Sequence, residues 1–161
     1  MKLKMKTTAK IATMIAAASL MGQYAFAAAT TGNAVQVVTA AIAITNVSNL
    51  DFGSAPQGDA QKTVSPGAAE SAENGSFTVT GTPNATYTIT LPSNGSVIMQ
   101  TGSGGANETI AVNNFTSFPS GNGTLSAGGS QLLLVGATRA ALGTSQVIGS
   151  YTAAYTVTVV Y

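Results

Sequence analysis

From Tyr151 to Tyr161 apolar and polar positions alternate. Tyr151, Ala153, Tyr155, Val157, Val159 and Tyr161 share one parity; Thr152, Ala154, Thr156 and Thr158 share the other, and Val160 alone breaks the polar face. Side chains along a strand alternate between two faces, so the pattern predicts a long β-strand over 150–161 with one apolar, aromatic face. Termini usually fray, so a bulky aromatic at 161 predicts a strand packed into a sheet. The same period recurs upstream. Tyr87, Ile89 and Leu91 oppose Thr86, Thr88 and Thr90, and Phe77 and Val79 share a face over 76–80. Strands are also predicted over 62–65, 96–101, 109–115 and 131–139.

Residues 34–45 are apolar and β-branched but change frame. Val35 and Val37 lie in one frame; Val38, Ile42 and Ile44 lie in the other. The slip at Val37–Val38 predicts a bulge or a boundary between two strands. The second frame continues through Leu50 and Phe52 until Gly53. Pro83-Asn84 and Asn94-Gly95 read as turns, the latter as a hairpin signal. Residues 67–75 and 102–107 read as loops, and the glycines at 121–123 and 128–129 as turns. Residues 135–143 have a competing helical reading, weakened by Gly136 and Gly143. About eight short strands at this spacing predict an all-β, antiparallel sandwich.

The first 27 residues read differently. Lys2, Lys4, Lys6 and Lys10 precede an apolar run over 11–21, followed by Ala25-Phe26-Ala27. This order predicts a secretory signal peptide cleaved after Ala27, or after Ala29. The run is shorter than the roughly 20 apolar residues that span a bilayer, and no later segment reads as a membrane span. The expected mature chain is one exported domain over 28–161.

Removing the leader reverses the sign of the charge. The whole chain has net charge +1, but residues 28–161 keep only Lys62 and Arg139 against Asp51, Asp59, Glu70, Glu73 and Glu108, a net charge of −3. Two bases cannot track a phosphate backbone, which argues against a nucleic-acid partner. Cysteine and tryptophan are absent, so no disulfide holds the fold.

The residue inventory also narrows the chemistry. Histidine is absent, so there is no Ser-His or Cys-His nucleophile and no imidazole metal ligand. No Gly-x-Ser-x-Gly elbow or Gly-Lys-Ser/Thr phosphate loop occurs. Glu70 and Glu73 are a close acidic pair, but loop neighbours read as solvated side chains and not as carboxylates facing across a cleft. Asp51 and Asp59 lack calcium-loop spacing. Asn84 and Asn107 begin Asn-x-Thr triplets that such a composition produces by chance. Tyr87, Tyr151 and Tyr155 could stack on a sugar, but their alternation with small and polar residues favours a core role. The expectation is a non-enzyme with no cofactor and no metal.

Three segments carry a family resemblance: 50–53 (Leu-Asp-Phe-Gly), 77–92, and 149–161 with its alternating tyrosines. Together they resemble a bacterial family of exported domains of unknown function, similar to spore-coat-protein-U-like pilins and to chaperone–usher pilins. The resemblance spans nearly the whole mature chain. It implies an immunoglobulin-like sandwich completed by a donor strand from a neighbouring subunit, with a periplasmic chaperone and an outer-membrane usher as partners beside like subunits. The chain departs from those pilins in lacking a disulfide, and its tyrosine is last where theirs is often penultimate. The residues themselves support strand addition: few charges are available to protect sheet edges, and adding a strand satisfies an open edge. The expected donor is residues 28–39, through Val35 and Val37; the expected groove involves Tyr151, Tyr155, Val157, Val159 and Tyr161. Two alternatives stay open: 28–39 as the ordinary first strand of a self-contained sandwich, and a monomeric adhesin-like module that binds glycan or host protein.

Overall fold

The structure is a computed structural model that describes residues 28–161. The predicted leader lies outside the described residues. The chain divides at Val37/Val38 into two units. In the first, residues 28–37 form no strand and every side chain is exposed, Val35 and Val37 at 84% and 75%. The second, Val38–Tyr161, holds the nine strands found among the described residues: β1 (Ala43–Ser48), β2 (Lys62–Val64), β3 (Gly75–Thr80), β4 (Thr86–Thr90), β5 (Val97–Gln100), β6 (Thr109–Phe118), β7 (Asn122–Thr124), β8 (Ser130–Arg139) and β9 (Thr158–Val160).

All pairings are antiparallel, and the strands form two sheets. The larger runs β1-β3-β8-β6-β5, with β2 also paired to β8; the smaller runs β7-β4-β9. Their inner faces share one core: Phe77 and Val79 of β3 and Leu133 and Val135 of β8 meet Tyr87 and Ile89 of β4 and Val159 of β9. The fold is therefore an antiparallel β-sandwich. Alternation accounts for the layers most cleanly in β4, where Tyr87 and Ile89 are buried and Thr86, Thr88 and Thr90 exposed; β8 departs from it, with Leu132 and Leu134 in its other frame.

The smaller sheet does not reach the whole of the larger one. A second cluster of Phe52, Val64, Val97, Val112 and Ala137 is covered by Leu50, Phe115 and Tyr155, which belong to no strand of the smaller sheet. Gly136 on β8 allows β2 and Pro66 to close against this end. A Cβ there would overlap the Val64 carbonyl and lie 2.6 Å from the Pro66 nitrogen. Both contacts are backbone atoms and cannot yield as a flexible side chain would.

Several expectations are corrected. The predicted strand over 34–45 begins only at Ala43, and the irregularity falls between Asn46 and Ser48, not at Val37–Val38. Asn94-Gly95 does not close a hairpin, because β4 and β5 belong to different sheets. The turn instead docks on the β6 bulge: Gly95 N donates to Asn113 Oδ1 at 2.7 Å and Asn114 N to Asn94 Oδ1 at 2.8 Å, with Asn114 at φ 53°. The glycines at 121–123 include a short strand, β7, and 135–139 is strand and not helix. The predicted 150–161 strand is ladder only at Thr158–Val160, plus a bridge between Thr152 and Gln100 of β5. The segment leaves one sheet at Thr152 and joins the other at Thr158. Between them Ala153 and Ala154 are both exposed, and from Tyr155 on it keeps the inward–outward alternation of a strand without ladder partners.

Candidate functional site: an open seam and an adjoining cleft

The first and last strands are both edge strands of the sandwich. β1 pairs only with β3, and β9 only with β4. They approach each other without pairing, and Ile42 and Ile44 pack from the β1 side onto the core that contains Val157 and Val159. A seam with a free edge on each side results. Neither strand contains a charged residue. Val47, Val160 and Tyr161 are exposed apolar side chains along it, at 57%, 49% and 51%. The usual protections of an edge, charge and proline, are absent from both strands.

The site residues expected from sequence divide by position. Val157 and Val159 are buried in the core beneath the seam. Tyr155 packs against both clusters, its ring edge-on to Phe77 at 6.1 Å and tilted against Phe115 at 5.4 Å. Its hydroxyl is buried beside the Leu50 backbone without a hydrogen bond of normal geometry; burial pushes the phenol pKa up to about 12, with the Leu50 amide pulling the other way. Tyr87 is buried in the core, and burial raises its pKa too. Neither ring is available to stack on a sugar. Tyr151 is half-buried, its hydroxyl at 2.6 Å from the Val147 carbonyl and 3.0 Å from that of Asn107. Tyr161 reaches Thr82 and Ala40 through its hydroxyl. Val35 and Val37 belong to the separate first unit.

Sequence reading missed the cleft that Tyr151 borders. It has a volume of about 760 Å³. Its lining includes Met99 of β5, Ile110 of β6 and Arg139 of β8, with residues 50–57 on one side and 146–151 on another. The two loops are tied together: Leu142 N donates to the Asp59 carbonyl at 2.8 Å, Gly58 N to that of Gly143 at 3.2 Å, and Gln57 Nε2 to that of Gln146. Gln146 is itself buried, donating to the Asn107 and Thr109 carbonyls. An even apolar alternation would not have pointed to Arg139, a base at an inward position.

Arg139 is almost fully buried, with its side chain 4% exposed, and pairs with Asp59 at 2.6 Å. It also donates to the Ala60 and Ala140 carbonyls. Removing one partner of such a pair leaves a desolvated charge. Asp59→Ala is expected to destabilise the fold by about 2 kcal/mol, below the full buried-pair penalty because Asp59 is 39% exposed. The double change Asp59→Ala with Arg139→Met is expected to recover most of that loss. Urea midpoints of the three chains check both statements.

Among the described residues no group of three or more acidic, histidine or cysteine side chains is placed to hold a metal ion. No helix among them is long and apolar enough to cross a membrane. No curated protein and no solved structure matches the chain. One family model does, over residues 42–161, from the approach to β1 to the last residue. The sandwich with its open seam thus coincides with a recognised unit, and the chain belongs to the family described as a domain of unknown function, DUF4402.

Proposed function

We propose that the chain is an exported structural subunit of a bacterial surface filament, polymerising by strand exchange. The observation that carries the reading is the seam: two uncharged edges, β1 and β9, each hydrogen-bonded on one side only. Such edges associate unless something covers them. A strand from another copy satisfies the β9 edge and covers the apolar side chains beneath it. Residues 28–39 of that copy are the donor, offering exposed Val35 and Val37. Addition of one copy's arm to the next copy's seam is heterologous, so it propagates as a fibre.

Export follows from the leader expected over 1–27. A periplasmic chaperone would cover the seam in transit, and an outer-membrane usher would order the exchange. The reading is non-enzymatic and needs no cofactor. The cleft beside Tyr151 favours a second reading, a monomeric adhesin-like module that takes a glycan or host protein there.

A gel separates the two. Cell-surface extract run unheated is expected to give a ladder of regularly spaced bands that collapses to monomer on boiling. Monomer in both lanes would remove the filament reading and leave the binding module.

A further inference from the structure

We propose that Tyr161 gates the seam: its hydroxyl pins the chain ahead of β1, and a strand entering beside β9 has to displace it. The inference rests on the strand-exchange reading. Three separate elements build the pin. Tyr161, directly after β9, accepts the backbone N–H of Thr82 at 2.6 Å and donates to the Ala40 carbonyl at 3.2 Å. Thr82 Oγ1 donates to the same carbonyl at 3.2 Å. Glycine at 81 makes room, because a Cβ there would overlap the Tyr161 hydroxyl. The turn is itself held by Gly81 N donating to the Gly129 carbonyl at 2.9 Å.

Ala40 lies on the β1 side of the seam and Tyr161 on the β9 side. Among the described residues, the Tyr161–Ala40 pair is the hydrogen bond between residues 38–48 and residues 153–161. Neighbouring strands sit about 4.8 Å apart, so a strand between two edges needs them about 10 Å from each other. The Tyr161 side chain reaches from one side to a carbonyl on the other, so it lies in the path of a strand entering there. The ring therefore has to swing out when a strand enters, and its 51% exposure leaves it a path into solvent. Swinging out breaks only neutral hydrogen bonds, which water can replace. Thr82 Oγ1 still holds Ala40 when Tyr161 lets go, so opening the gate loosens the approach to β1 without unfolding it.

Tyr161→Phe keeps the ring and removes the pin. Two measurements on purified full chains test it. The Thr82 amide is expected to exchange with deuterium about three- to tenfold faster in the variant, the range that one net hydrogen bond supports. The unheated ladder is expected to build about three- to tenfold faster, with the final ladder unchanged and the thermal midpoint lowered by only a few degrees, as the loss of one net hydrogen bond requires. Unchanged Thr82 exchange overturns the pin. A ladder that builds at the wild-type rate, or more slowly, overturns the gate while strand exchange stands. Monomer alone from both chains overturns strand exchange, and the gate with it.

Discussion

Replacing Tyr155 by alanine is expected to destabilise the sandwich by about 3 kcal/mol. The ring, together with Phe115, bridges the two clusters that β8 also runs through. It touches Phe77 and Phe115, and it packs on the β3–β8 core and on the second cluster alike. Truncating a buried aromatic costs about 3–5 kcal/mol. The low end applies, because the ring is not fully buried and its hydroxyl contributes no well-formed hydrogen bond. Urea unfolding checks the value; a loss below about 0.5 kcal/mol would mean that the ring is not part of the core. Tyr155→Phe separates ring from hydroxyl. It removes a buried group without a good partner, so stability at neutral pH is expected to hold or rise slightly. The same variant carries a pH signature. With the folded pKa raised from 10 to about 12, the unfolded chain loses the phenol proton first. Stability is then intact below pH 10 and falls between pH 10 and 12. The Phe variant is expected to lose most of that fall, leaving the part due to Tyr87, which burial shifts the same way.

The period-2 signal in the sequence reported burial better than it reported pairing. Val157 and Val159 face inward and Thr156 and Thr158 outward, as alternation requires. Yet only Thr158–Val160 is in a ladder, because partners are set by where the chain crosses between sheets. The same limit applies at Asn94-Gly95. Its positive-φ glycine was legible, but the turn joins strands of different sheets and finds its partners on the β6 bulge, 18 to 20 residues away. β7 carries no apolar signal in the sequence, because Gly121 and Gly123 have no side chains to supply one; Gly123 is in the strand because the Tyr87 ring occupies the space of its missing side chain.

The seam was half legible. The scarcity of charge on β1 and β9 can be read directly, and alternation with an aromatic end singles out the closing segment. That the two strands would be edges facing each other cannot be read, since edge position depends on the order of all the others. The cleft was not legible at all. Its floor mixes Met99, Ile110 and Arg139 from three strands, and its walls are loops fixed by backbone hydrogen bonds that leave no side-chain pattern.

A chain lacking residues 28–39 is expected to fold, to accept a strand, and to stop a filament. Folding should survive because among the described residues no core residue precedes Ile42 and the first strand begins at Ala43, and the family match begins at residue 42. Its thermal midpoint is expected within about 2 °C of the intact chain, since an exposed segment away from special features contributes little to stability. Alone, it is expected to give monomer on an unheated gel. Mixed with intact chain it has a seam but no donor, so each truncated copy accepts one arm and ends that filament. The ladder should shorten as the truncated share rises, and the double substitution Val35→Asp with Val37→Asp should act the same way through two charges that cannot be buried beside β9. If residues 28–39 were instead the ordinary first strand of a self-contained sandwich, truncation would lower stability and the mixture would leave the intact chain's bands untouched. Shortening by a folded, donor-less chain distinguishes a strand that comes from the next subunit from one that comes from the same chain.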